Sequence, residues 1–204
     1  MIITTITVGP LQTNCYLVSS SDTKETMVID PGDEPAKIID VIEKSGLKPL
    51  CIVNTHAHPD HLRGNADVAG RFNIPSYISE RDFALFEEYK SYFHEEATYA
   101  LKFDMLMKEG EVISVADLEF EVLETPGHSP GAVCLHGQGV LFSGDMLFAG
   151  DVGRTDIIGG SGRQVISSFK RLMKLPPKTK VYPGHGPSTT IKEERRSNIL
   201  AKRK

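Results

Sequence analysis

The stretch VNTHAHPDHLRGN, residues 53–65, sets His56, His58, Asp60 and His61 within six positions. Imidazole nitrogens and carboxylate oxygens together hold zinc, iron or manganese. His56 and His58 are two residues apart, so extended backbone points both to one side. Pro59 restricts the chain that follows, and Asp60 and His61 then stand where a helix begins. Such a cluster is half of a metal site only if the rest of the chain supplies the other half. Three points match it: His128 in TPGHSPG, Asp145 in FSGDMLF and His185 in VYPGHGP. Each follows a strand-like segment and stands among turn residues, where functional groups are held by a rigid scaffold. Taken singly, a histidine in a turn is ordinary. Taken together, the five histidines and two aspartates leave only His94 and His136 outside the set.

The elements that must carry these residues can be read from the pattern. IITTITV, NCYLVSS and ETMVID are short, β-branched and separated by turn residues, as strands are. DPGD, residues 30–33, stops the third. A helix then runs through PAKIIDVIEKSG, with Asp33 or Glu34 as its cap and Gly46 at its end. LCIVN is a further strand, and the His cluster follows its end. DHLRGNADVAGRFN reads as a helix start. SERDFALFEEYKSYFHEEATYALKF has no glycine or proline and reads as one or two helices, either a lid over the site or plain packing on the core. Strands return at EVISV, LEFEVLET, GAVCLHG and GVLFSGD. A helix over GRQVISSFKRLMKL, a strand at KTKVYPG and a terminal helix follow. Two β-rich halves with helices alongside imply a layered sandwich, and no Gly/Ser/Pro-rich linker divides residues 1–204 into domains.

The whole chain sets further bounds. At 204 residues with net charge −4, it has no basic field for nucleic acid. The mixed-sign tail KEERRSNILAKRK reads as a solvated helix. No stretch approaches the roughly 20 apolar residues that cross a bilayer, and no signal peptide is visible. Cys15, Cys51 and Cys134 are scattered and odd in number, which fits a reduced compartment, the cytoplasm. Neither a dinucleotide fingerprint nor a phosphate-loop lysine motif occurs.

THAHPDH, continued by LRGN, resembles the HxHxDH signature of the metallo-β-lactamase-fold hydrolases, and TPGHSPG, SGDMLF and YPGHG follow in that family's order. The chain looks most like the short bacterial glyoxalase II-like proteins. The resemblance implies an α+β fold, a four-layer αβ/βα sandwich with the site at one edge of its two sheets. It implies two divalent metal ions, zinc foremost, with iron or manganese as candidates. His56, His58 and His128 would hold one ion, Asp60, His61 and His185 the other, and Asp145 would bridge them. Asp30 would brace the loop beneath, unless it is only a turn residue. A metal-bound hydroxide, oriented by Asp60, would attack the carbonyl of a small anionic thioester such as S-lactoylglutathione.

Arg154 stands where long glyoxalase II enzymes place a glutathione-gripping lysine. Asp156 replaces their tyrosine, and Arg154 pairing with Asp151 or Asp156 is the structural alternative. The chain ends 19 residues beyond His185, so the helical C-terminal domain of those enzymes is not expected. GRTD, residues 153–156, also resembles persulfide dioxygenases of the same fold. Those hold a single iron with the equivalents of His56, His128 and Asp145. The presence of Asp145 and the lack of a cysteine ligand argue against β-lactamase activity.

Overall fold

The computed structural model describes residues 1–89 and 102–202. The first sheet comprises β1 (Ile2–Val8), β2 (Thr13–Ser19), β3 (Glu25–Ile29), β4 (Lys48–Val53), β5 (Ser76–Ser79) and β6 (Met105–Met107), in that order across the sheet. The second comprises β7 (Val112–Val115), β8 (Leu118–Glu124), β9 (Val133–Gly137), β10 (Val140–Gly144), β11 (Lys180–Pro183) and β12 (Thr189–Thr190), again in chain order. The helices are α1 (Pro35–Lys44), α2 (Pro59–Leu62), α3 (Asn65–Phe72), α4 (Glu80–Tyr89), α5 (Gly162–Leu172) and α6 (Ile191–Ser197). Strands β3 to β6 run parallel, as do β10 and β11. Parallel neighbours need crossover connections, which α1, α3, α4 and α5 provide.

The layering follows from side chains that alternate along each strand. Tyr16 and Val18 of β2, and Met27 and Ile29 of β3, meet Val133, Leu135 and Phe142 of the second sheet in the central core. Cys15, Leu17 and Val28 point the other way, onto Ile38 and Ile42 of α1 and Val68 of α3. Cys134 and Leu141 likewise leave the second sheet's outer face to pack on Val165, Phe169 and Leu172 of α5. Helix, sheet, sheet, helix is the four-layer α+β sandwich. Strands buried on both faces explain why β2, β3, β9 and β10 read as continuous apolar runs.

Three local expectations give way. Helix α4 is seen to Tyr89, and the lid reading for residues 90–101 lies outside the described residues. Lys102–Asp104 are not helical, and Met105–Met107 form the edge strand β6, where pairing with β5 overrides helical propensity. The helix start at residues 60–73 is two short helices separated at Gly64, whose N–H bonds the Pro31 carbonyl at 2.8 Å. Neither acid caps α1 with its side chain. Glu34 takes a left-handed φ of 46°, and its carboxylate accepts the Gly9 N–H at 2.9 Å instead. Among the described residues no helix is long and apolar enough to cross a membrane.

Candidate metal centre

All seven predicted donors meet at one end of the two sheets. His56 and His58 leave β4, Asp60 and His61 lie in α2, and His128 sits in the loop from β8 to β9. Asp145 follows β10 and His185 follows β11. These two strands are parallel neighbours, so their ends present the two residues side by side. His58 caps α2 with Pro59 as its first residue, a position where the missing N–H costs nothing. The two sheets are tied together here as well. Tyr16 donates its hydroxyl to the Pro183 carbonyl at 2.6 Å, and the Asn14 N–H bonds the Gly184 carbonyl at 2.7 Å.

The donors form two triads. Ligand atoms of His56, His58 and His128 lie within 4.8 Å of one another, and so do those of Asp60, His61 and His185. Asp145 stands between them: Oδ2 is 3.6 Å from His128 Nε2 and 3.5 Å from His185 Nε2. His136 lies on β9 and belongs to neither triad; His94 lies outside the described residues.

The far side of three of the rings is occupied, which aims their near side. His61 Nδ1 contacts Asp30 Oδ2 at 3.0 Å, His128 Nδ1 the Arg154 carbonyl at 2.9 Å, and His185 Nδ1 the Leu11 carbonyl at 2.9 Å. Those oxygens accept, so each Nδ1 carries the proton and each Nε2 keeps its lone pair. Yet His61 Nε2 and His185 Nε2 face each other at 3.3 Å, and His128 Nε2 faces His58 Nδ1 at 2.8 Å. Where both nitrogens hold lone pairs, as in the His61–His185 contact, a cation must stand between them. Without a metal a proton takes that place. Burial opposes charge on His61, but Asp145 and Asp30 overcome it and hold its pKa well above the ordinary value. Burial likewise opposes charge on His185, while Asp145 and Asp60 push it up to about 10.

His56 and His58 behave oppositely. Burial and the neighbouring imidazoles hold His56 well below its usual pKa and bring His58 to about 4, so both stay neutral and free to ligate. Burial disfavours charge on Asp145, but His61 and His185 keep it well below the carboxylate range. His56 Nε2 and Asp145 Oδ1 are buried with no hydrogen-bond partner. Orphaned buried polar atoms cost about 1–3 kcal/mol each, and two at the focus of seven donors fit a pair of metal ions. A Cβ on Gly184 would lie 2.1 Å from Asp145 Oδ1, so only glycine lets the turn after β11 pass this close.

Asp30 acts as the expected brace. Its carboxylate accepts the Thr55 N–H at 2.8 Å and the Thr55 hydroxyl at 2.7 Å in addition to His61. Arg154 is exposed and forms a two-pronged pair with Asp156 at 2.7 and 2.8 Å, the structural alternative with Asp156 rather than Asp151. It still borders the cavity of about 610 Å³ over the donors, with Leu11, Phe148 and Ile157.

One residue was not anticipated. Asp82 of α4 is fully buried and accepts the Ala57 N–H at 2.8 Å, the Ser129 hydroxyl at 2.7 Å and the Gly131 N–H at 2.6 Å. Ala57 lies between His56 and His58, and Ser129 follows His128, so one carboxylate spans both loops of the first triad. Burial raises its pKa against the pull of these donors. In sequence it is one acid among several in SERDFALFEEY, with no local mark of its role.

Comparison with known proteins agrees with this geometry. The chain is 36% identical to hydroxyacylglutathione hydrolase GloC of Haemophilus influenzae, over 95% of this chain and 94% of that protein. It superposes on the crystal structure of BLEG-1, described as a B3 metallo-beta-lactamase, with a TM-score of 0.91, 34% identity, and coverage of 98% and 100% of the two chains. TTHA1623, solved in a di-iron-bound form, gives 0.85 at 38% identity, covering 97% and 99%. ETHE1 from Myxococcus xanthus gives 0.84 at 26%, covering 98% and 85%. The family model for the metallo-beta-lactamase superfamily matches residues 8–185, from the first strand to the last of the seven donors, and the chain belongs to that superfamily.

Proposed function

We propose that the protein is a binuclear metal-dependent hydrolase of a small anionic thioester such as S-lactoylglutathione. The observation that carries this reading is the complete set of seven nitrogen and oxygen donors, with Asp145 between two triads. A GloC-type relative supports the substrate class. The three cysteines offer no rival nucleophile: all are buried, and burial pushes the thiols of Cys51 and Cys134 up to about 12.

Two bound divalent ions would polarise the carbonyl and bring the pKa of water towards about 7. Zinc is the first candidate for this nitrogen and oxygen set, and the di-iron form of a relative puts iron beside it. The residues do the rest. Burial opposes charge on Asp60, but His185 and His61 overcome it and hold its pKa at about 2. It is therefore an acceptor that orients the attacking water, itself steadied by the Thr13 hydroxyl at 3.2 Å. The water oxygen bonds to the carbonyl carbon, the C–S bond breaks, the thiol leaves with a proton and the acid remains. Two divalent ions outweigh Asp60 and Asp145 in charge, so the loaded cavity favours an anion.

A second reading is a mononuclear iron persulfide dioxygenase. The likeness to ETHE1 favours it, and His56, His128 and Asp145 supply two histidines and a carboxylate. Metal-assayed protein offered a glutathione thioester, glutathione persulfide and a β-lactam separates the outcomes. The expected result is close to two ions per chain and turnover of the thioester. One iron per chain with persulfide turnover would establish the dioxygenase, and β-lactam turnover alone would place the protein with the activity described for BLEG-1.

Arg154→Ala tests the grip on the substrate. If Arg154 exchanges Asp156 for a substrate carboxylate, KM for an anionic thioester rises about tenfold, the scale of a lost charged hydrogen bond. An unchanged KM with a lowered melting temperature would leave the Asp156 pair as its whole role.

A further inference from the structure

A second cavity of about 360 Å³ opens beside the metal centre, walled by Ala57, Leu85, Phe86, Ile157 and Ile158. His58 and Ile157 line both this cavity and the larger one over the donors, so the two adjoin at a ligand of the first triad. Their chemistry differs. The larger one holds the ligating carboxylates and Arg154. Among the described residues, the smaller one has only apolar walls apart from His58 and the rim carboxylate of Asp156. The Arg154–Asp156 pair therefore stands on the boundary, with its cation towards the larger space and its anion towards the smaller.

The apolar wall is built rather than accidental. Leu85 and Phe86 lie three and four residues beyond Asp82, so they share its face of α4. Asp82 pins that face to the two ligand loops. Phe86 is buried against Ala57, Leu62 and Ile78 and stacks edge-on with Phe103 at 5.6 Å. Opposite it, Ile158 is 55% exposed, an apolar side chain with surface left to bury.

We propose that this smaller cavity receives the apolar acyl arm of the thioester, while the anionic thiol carrier lies in the larger cavity beside Arg154. The inference rests on the thioesterase reading and sharpens it. A scissile carbonyl at the junction by His58 has one arm on each side. Among the described residues, only one side offers a cation for a carrier carboxylate. The other has polar groups only at its mouth and rim, His58 and Asp156, so its Leu85, Phe86 and Ile158 walls suit an alkyl chain. Within the thioester class, the cavity thus favours longer alkanoyl groups over the short lactoyl group.

The test uses metal-loaded protein and a series of glutathione thioesters from acetyl through butyryl to hexanoyl. Each buried methylene should raise kcat/KM about fourfold. Ile158→Asp, on an exposed position, and Leu85→Ser should each flatten that rise to about twofold over the series, with metal content unchanged. A flat series in the unaltered protein, or an unchanged slope in both variants, overturns the acyl cavity while leaving the thioesterase reading intact. If no thioester turns over, that reading fails by itself. Calorimetric binding of acetate, butyrate and hexanoate then decides the cavity: affinity rising with length only when Ile158 and Leu85 are present supports it, and equal affinities overturn it.

Discussion

Asp145→Asn should cost the protein one of its two metal ions and on the order of 10³-fold in kcat, the scale on which a preorganised charged group acts in a water-poor site. The substitution keeps size and removes charge. Asp145 Oδ2 faces both triads at about equal range, 3.6 Å from His128 and 3.5 Å from His185, so its charge offsets the repulsion between two cations. An amide offers one acceptor and turns its NH₂ towards a cation on the other side. The fold should persist, because the central cluster around Phe120, Phe142 and Met27 does not include Asp145. Metal analysis, circular dichroism and thioester turnover on one preparation check this. A variant with two ions and near-normal kcat would remove Asp145 as the bridge.

Asp82→Asn should unseat the first triad without touching a ligand. The carboxylate accepts from three donors, two on Oδ2 and one on Oδ1. Either orientation of an amide sets its NH₂ against a backbone N–H, with a cost of about 1–3 kcal/mol for the donor left unsatisfied. The strands of the sandwich do not depend on that contact, so the chain folds with a melting temperature several degrees lower. Affinity for the ion held by His56, His58 and His128 should fall about 10–100-fold, the range for residues that orient ligands. The ion of Asp60, His61 and His185 should be retained, giving a stoichiometry near one at limiting metal. Equal loss of both ions, or full retention of both with only the thermal shift, would make Asp82 a packing residue rather than a positioning one.

The ligand set was legible because its signals are local. HxHxDH, PGH and SGD each bind residue type to a turn, and strand ends aim such turns at a common edge. The sandwich was legible because strands buried on both faces carry short apolar runs, such as CYLV in β2 and VLF in β10. What escaped has no local signature. β5 has only four residues, two of them serines, and β6 has three at the end of a helix-like run. Both exist because a neighbouring parallel strand supplies hydrogen bonds from far along the chain. Asp82 escaped for the same reason: its partners are 25, 47 and 49 residues away. Arg154 was legible as a charge at the right spacing, but its fork with Asp156 emerges only once the loop after Asp145 turns back on itself.

The contact between Asn14, Tyr16 and the Pro183–Gly184 turn has a consequence for how the molecule comes apart. Four donors belong to the chain of the first sheet and three to the chain of the second. Two ions held across that seam would act as inorganic cross-links, closing chain loops from His56 to His128 and on to His185 as a disulfide would. Native-state binding at a thousand times the dissociation constant is worth about 4 kcal/mol. A chelator should therefore lower the melting temperature and loosen the seam first, with hydrogen exchange quickening at the Asn14 amide, which bonds the Gly184 carbonyl, before the interior of either sheet. The centre is then a rivet as much as a reaction site, and a thermal melt that ignores chelation would show that the protein's own hydrogen bonds already suffice to hold the halves together.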